Sequence, residues 1–192
     1  MLFYPPTKNL SNVYCSGFGG ASSRITRARN NWPMKREYPD SPLVGVGAVI
    51  IDCLSVDRRH DDRRHDDHRV LLIRRGTPPL LGEWALPGGV LECGETLREA
   101  VTREAREETG LVVEPGEMLG VYERVIRGDE GRVRYHYVMI DFLCRVASGH
   151  LAAGSDAADV RWFTRDELPA LALAYDANDV VLKGLARTTD GG

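Results

Sequence analysis

The chain has 192 residues, of which 43% are hydrophobic and 28% charged, and carries a formal net charge of −3. That length and composition suit one soluble globular domain with an extension, long enough to bury a real core. The slight acidity argues against a broad nucleic-acid footprint, no apolar run could span a bilayer, and the first residues lack the order of a secretory signal. A cytoplasmic protein without nucleic-acid or membrane partners is therefore expected. The four cysteines, Cys15, Cys53, Cys93 and Cys144, contain no C-x-x-C pair, which excludes a zinc ribbon and leaves no basis for a disulfide framework.

Residues 1–42 are rich in Gly, Ser, Asn, Pro and Arg, without apolar periodicity, and read as an N-terminal extension. Its Arg24, Arg27 and Arg29 are open to two readings, a solvated tail or an arm touching an anionic substrate or a second subunit, so a homodimer stays open. Leu43–Ile51 is the first strand pattern and Arg69–Arg75 the second. Between them lies VDRRHDDRRHDDHR, a short tandem repeat. Its mixed charge without an apolar anchor favours a solvated hairpin loop over a His/Asp metal site. Side-chain alternation puts Arg75 on the face of Leu71 and Ile73, and Arg74 on that of Val70 and Leu72.

The next element is a helix. Thr96 and Glu99 have capping-box spacing, Gly110 supplies the stop, and nothing between them breaks a helix. At about 100° per residue, Leu97, Ala100, Val101 and Ala105 form the buried stripe. Glu104 and Glu108 fall inside that stripe and Glu107 on its edge, while Thr102 and Arg106 point to solvent. Like charges at i,i+4 on a packed face repel and are desolvated. A divalent cation with oxygen ligands, Mg²⁺ or Mn²⁺, is the simplest remedy.

After the helix, Met118–Val125 and Arg134–Val146 read as strands around the turn Arg127–Arg132. Tyr135 and Tyr137 share one face of the second strand and His136 takes the other. A base-stacking or pocket-flanking role for the tyrosines competes with ordinary sheet packing. Thr164 and Glu167 repeat the capping-box spacing, and roughly Asp176–Arg187 reads as the last helix.

From Gly89 the chain gives G-x5-E-x7-R-E-U-x-E-E-x-G-U, filled by Gly89, Glu95, Arg103, Glu104, Ala105, Glu107, Glu108, Gly110 and Leu111. Preceded by Gly82-Glu-Trp-Ala-Leu-Pro-Gly-Gly89, this resembles the signature box of the Nudix hydrolases at every defined position. The resemblance covers roughly Val44–Arg187, taken as domain 43–187, with 188–192 as a tail. It implies an α/β/α sandwich around a mixed β-sheet. It also implies Mg²⁺-dependent hydrolysis of a nucleoside diphosphate linked to another group, a small-molecule substrate.

By resemblance, the metal ligands are Glu104, Glu107 and Glu108 with a backbone carbonyl at Gly88 or Gly89. Arg103 and Glu95 hold loop and helix together, with Glu99 four residues before Arg103 helping to fix its guanidinium. The water-activating base is Glu104, Glu107 or an acid of the Asp156–Asp159 loop. Arg75 is the candidate for substrate phosphate, and Asp156, Asp159, Tyr135 and Tyr137 complete the substrate-binding candidates. The resemblance is nearest to the ADP-ribose pyrophosphatase-like branch, although the proline expected about sixteen residues after the box is missing at Ile126-Arg127-Gly128. The tetracysteine ribbon of NADH pyrophosphatases is missing too. Sanitising hydrolysis of nucleoside triphosphates and nucleotide sensing without turnover are the alternatives.

Overall fold

Leu43-Val-Gly-Val-Gly-Ala-Val-Ile-Ile has too little polarity for a half-exposed strand, and in the computed structural model it is the central strand, buried from Gly45 to Ile51. The structure describes residues 35–53, 68–154, 156–174 and 177–189. The arm arginines Arg24, Arg27 and Arg29, and most of the Arg-Arg-His-Asp-Asp repeat, lie outside the described residues.

The elements in order are β1 (Leu43–Cys53), β2 (His68–Arg75), β3 (Trp84–Ala85), β4 (Gly88–Val90), α1 (Leu97–Thr109), β5 (Leu111–Arg127), β6 (Val133–Gly149), β7 (Ala157–Thr164) and α2 (Ala177–Thr189), with a 3-10 helix at Arg165–Ala170. Along one side β1 runs parallel to β6, from Leu43 opposite Tyr137 to Ile50 opposite Cys144. Its other side changes partner. Gly45–Gly47 pair with β4, whereas Ile51–Cys53 pair with the start of β2. β2 therefore diverges from β4 and turns instead to β3 and β7. The wedge between the diverging strands is where the functional cleft forms.

The two faces of this mixed sheet bury different residues. Val46, Ala48, Ile50, Leu71, Phe142 and Cys144 pack with Ala100, Val101 and Ala105 of α1. Val49, Ile51, Val70, Leu72, Leu119 and Phe163 pack with Val180, Val181 and Leu185 of α2. One helix on each face makes the expected α/β/α sandwich. Among the described residues no helix is long and apolar enough to cross a membrane.

Several boundaries differ from the pattern, each for a local reason. β5 starts at Leu111 rather than Met118, because register shifts near Pro115 and Met118 interrupt its alternation without ending its pairing to β6. β3 and β4 are too short to show a period of two. The Thr164–Glu167 capping box opens a short 3-10 helix containing Pro169, not an α-helix. α2 continues to Thr189, two residues past the expected end at Arg187. Thr102, assigned to the solvent side of α1, is half-buried and donates to the Val113 carbonyl at 3.3 Å, because β5 packs along that flank. Residues 36–38, assigned to the extension, dock on the domain. The Tyr38 amide donates to the Arg134 carbonyl at 2.7 Å, and Glu37 pairs with the Arg134 guanidinium at 2.6 Å.

Leu72 is fully buried beneath α2 and lines neither of the two cavities described below. Replacing it with alanine should cost about 2–5 kcal/mol in urea unfolding, through lost burial plus the cavity left behind. Turnover per folded molecule should be little changed.

Candidate active site

Helix α1 enters at Thr96, which caps it. The Thr96 amide donates to Glu99 Oε2 at 2.7 Å, and the Glu99 amide donates back to Thr96 Oγ1 at 3.3 Å. It ends at Gly110, in the left-handed region with φ of 72°, which a residue with a Cβ adopts only under strain. These two stops place Glu104 and Glu108 against the short strand β4. Glu99 is thereby committed to the cap and does not reach Arg103, which differs from its expected role.

Arg103 binds loop, strand and helix together. Its Nε and Nη2 donate to the two oxygens of Glu95 at 2.7 and 2.9 Å. Its Nη2 also reaches the Val90 carbonyl at 3.2 Å, and its Nη1 reaches Glu104 at 2.7 Å and Glu107 at 3.3 Å. This two-pronged pairing is stronger and more directional than a single contact. It holds the Glu95 carboxyl below the usual carboxylate range, and the guanidinium pKa rises in return.

Glu104 and Glu108 are in a different state. The Glu104 side chain is 14% exposed, and its carboxylate lies directly against the α-carbon of Gly89, where any Cβ would collide with it. Glu108 is 9% exposed and accepts a hydrogen bond from the Gly88 amide at 2.8 Å. Burial pushes the Glu108 carboxyl up to about 8. The Gly88 N–H and Arg75 oppose that rise, and the negative charges of Glu104 and Asp156 add to it. Burial also raises Glu104, against the pull of Arg103. The i,i+4 carboxylates are thus buried together with less positive charge than they need.

The strand opposite explains the two glycines. Ala48 donates to Pro87 and Leu91 donates to Val44, so Val46 and Gly89 form the hydrogen-bonded pair between them. Gly88 then directs both its N–H and its C=O away from β1. The N–H meets Glu108, and the carbonyl is the one offered to the cleft, rather than that of Gly89. A Cβ on Gly88 would collide with the Val46 carbonyl.

Glu104, Glu108, Gly88 and Gly89 line one cavity together with Arg75, Asp156 and Tyr137. Arg75 is held by its Nε–H to the Pro79 carbonyl at 2.7 Å. Three other candidates stand apart. Glu107 is 62% exposed on the outer flank of α1. Asp159 is exposed and accepts from the Val160 amide at 2.8 Å. Tyr135 is buried behind Tyr137, stacked on it with ring centroids 6.2 Å apart, as sheet packing would have it. Among the described residues no three His, Cys, Asp or Glu side chains stand close enough to hold a metal unaided.

Arg36, Arg124 and Met139 also line this cavity, and none was marked by sequence. Arg36 sits in a Lys-Arg-Glu run that reads as extension, and Arg124 in an unremarkable strand. A second, more apolar cavity adjoins the first and shares Arg75, Gly88, Arg124 and Met139 with it. It contains Asp141, also unmarked.

Residues 60–184 match the model of the NUDIX domain. The chain is 41% identical over 124 residues to the ADP-ribose pyrophosphatase of Methanocaldococcus jannaschii, covering 65% of this chain and 69% of that protein. It is 41% identical over 100 residues to a MutT-like protein of Streptomyces ambofaciens, covering 52% and 58% of the two chains. Among solved structures, the NUDIX domain of Shewanella oneidensis NrtR complexed with ADP ribose is similar with a TM-score of 0.58 at 25% identity, covering 77% of this chain and 89% of that one.

The raised Glu108 carboxyl has a consequence for metal-free protein. Its folded pKa of about 8 lies above the ordinary carboxyl value of 4.5, so the folded state holds a proton that the unfolded state releases. The stabilisation from this group is complete below the unfolded value and is lost as pH rises through about 8. Melting temperature measured in chelator should therefore fall between mildly acidic and mildly alkaline pH. In Glu108→Gln that slope should flatten.

Proposed function

This chain belongs to the Nudix family of pyrophosphohydrolases, and from that premise we propose that it cleaves the pyrophosphate bond of a nucleoside diphosphate linked to a second group, with Mg²⁺. ADP-ribose is the first member of that class to test, supported by the printed name of the archaeal relative. The observation that carries the reading is the pair of buried carboxylates, Glu104 and Glu108, lining a cavity with Arg75. Such a pair lacks compensating positive charge, which a divalent cation would supply beside a polyanionic substrate.

The donor set fits a hard divalent cation. Mg²⁺ is commonly held by one or two carboxylates while waters and substrate phosphates complete its shell, so three converging acids are not required. Glu104, Glu108 and the Gly88 carbonyl would hold it, with Mn²⁺ as a substitute, and Glu107 would assist from the flank. Bound there, a divalent cation neutralises diphosphate charge and makes water more acidic.

The rest of the chemistry falls to side chains. Arg75, with Arg36 beside it, binds the phosphate oxygens and fixes the scissile bridge. Arg103, clamped by Glu95, keeps Glu104 pointed at the cleft, which is a positioning role. Asp156 lines the cavity from the loop before β7, is not among the groups that would hold the cation, and is the carboxylate best suited to take the proton of the attacking water. The water oxygen bonds to phosphorus, the bridging P–O bond breaks, and two phosphate monoesters leave.

The test is a panel of nucleotide diphosphates with Mg²⁺, reading the nucleoside monophosphate released. Glu104→Gln and Glu108→Gln should each lower turnover by about a hundredfold or more, since several kcal/mol of charge stabilisation are removed. The same variants should keep or gain metal-free stability while the Mg²⁺-induced rise in melting temperature shrinks. Lower metal-free stability with normal turnover would make the pair structural. Nucleotide binding without hydrolysis by the wild type would make the chain a sensing module.

A further inference from the structure

We propose that Asp141 reads the nucleobase of the substrate, its carboxylate accepting N–H groups from the base edge in the apolar part of the cleft. The inference rests on the reading that the polar part receives the diphosphate, and it names what the adjoining part receives.

Asp141 lies on β6, directly opposite Gly47 of β1. It is 6% exposed, and a Cβ at position 47 would collide with its Oδ1. The glycine leaves the carboxylate room on the α2 face of the sheet. No described residue donates a hydrogen bond to it; Arg124 acts on it through charge, while Tyr122 lies near enough to feel Asp141 and Asp179. The surrounding wall is apolar: Ala85, Leu86, Ala174, Ala177 and Val180. A buried carboxylate to which no described residue donates is costly in such a wall unless a bound molecule supplies the donors.

The chemistry of the wall narrows the ligand. A flat heterocycle gains by leaving water for an apolar slot, whereas a sugar diol would lose its hydration there. Burial raises the Asp141 carboxyl to about 6, so near neutral pH it is mostly ionised and can only accept. Nucleobases differ in what they offer to such an acceptor. Guanine presents two adjacent N–H donors, and adenine presents one amino donor beside a ring nitrogen that accepts. Unsubstituted purine presents none on that edge. The shared chemistry is an N–H donor next to the ring. The geometry of the cleft agrees: Arg75, Gly88, Arg124 and Met139 border both cavities, so a base beside Asp141 is continuous with a diphosphate beside Glu104 and Glu108.

The experiment uses the full chain and three diphosphates that differ only in the base: ADP-ribose, its guanine counterpart and its counterpart with unsubstituted purine. Hydrolysis with Mg²⁺ and equilibrium binding are both measured. For the wild type, the donor-bearing bases should exceed unsubstituted purine in kcat/KM by about tenfold or more, through KM, because an acceptor left unpaired penalises the poorer ligand. The ratio of guanine to adenine substrate identifies which base supplies the donors. In Asp141→Leu, which keeps the heavy-atom branching and removes the acceptor, the three should converge, with melting temperature held or raised.

Equal rates for all three in the wild type, or discrimination that survives in Asp141→Leu, overturns the proposal. A uniform loss on all three together with a lower melting temperature makes Asp141 structural and overturns it as well. Should Asp141→Leu fail to fold, Asp141→Asn decides. Its amide offers one acceptor and one donor, matching adenine, so the guanine-to-adenine ratio must fall; an unchanged ratio overturns the proposal. Donor-dependent binding without hydrolysis would sink the hydrolase reading alone, and hydrolysis without donor dependence would sink this one alone.

Discussion

The structure depends on one unfavourable act, the burial of two like charges on one helix. Glu104 and Glu108 are a turn apart on α1 and both face the glycine strand β4. Repulsion and desolvation would ordinarily turn such a helix about its axis until the acids met water. Two features prevent it. Ala100, Val101 and Ala105, fully buried on the same helix, hold the face down. Arg103 offsets part of the charge while anchored through Glu95 and the Val90 carbonyl. The residual deficit of positive charge is what the proposed function assigns to a cation carried with a polyanion.

The partner change along β1 converts that local feature into a site. If β1 paired with one neighbour throughout, no space would exist between β2 and β4. The divergence opens a wedge whose α1 side is lined by acids and glycines and whose α2 side is lined by small apolar side chains. A substrate with a charged middle and a flat end matches such a division, and Arg75 at the end of β2 stands at the junction. Glycine is needed at positions 47, 88 and 89 for the same reason. At each one a carboxylate or a carbonyl occupies the volume a side chain would take.

Much of this was legible in the sequence. The box residues, the capped helix, the central strand and the second-strand arginine are local patterns, and local patterns survive translation into structure because they set φ, ψ and facing directly. The placement of Glu107 at the edge of the helix stripe was legible for that reason. Glu99 shows the limit: i,i+4 spacing allows a contact with Arg103, but the Thr96 amide is nearer and takes the carboxylate first. Thr102 shows another, since its half-buried state comes from β5 packing along α1 and no helical wheel contains β5.

What the sequence determined by itself was the chemistry: two acids on one face of one helix, glycines before it, and an arginine clamp, all within a span short enough that spacing alone sets their geometry. What only the tertiary structure decided was the company they keep. Asp141, Arg124, Arg36 and Asp156 come from separate parts of the chain and carry no spacing signal relative to the box. The choice of the Gly88 carbonyl over that of Gly89 likewise required the register of β4 on β1, because only the pairing phase decides which peptide groups face the cleft.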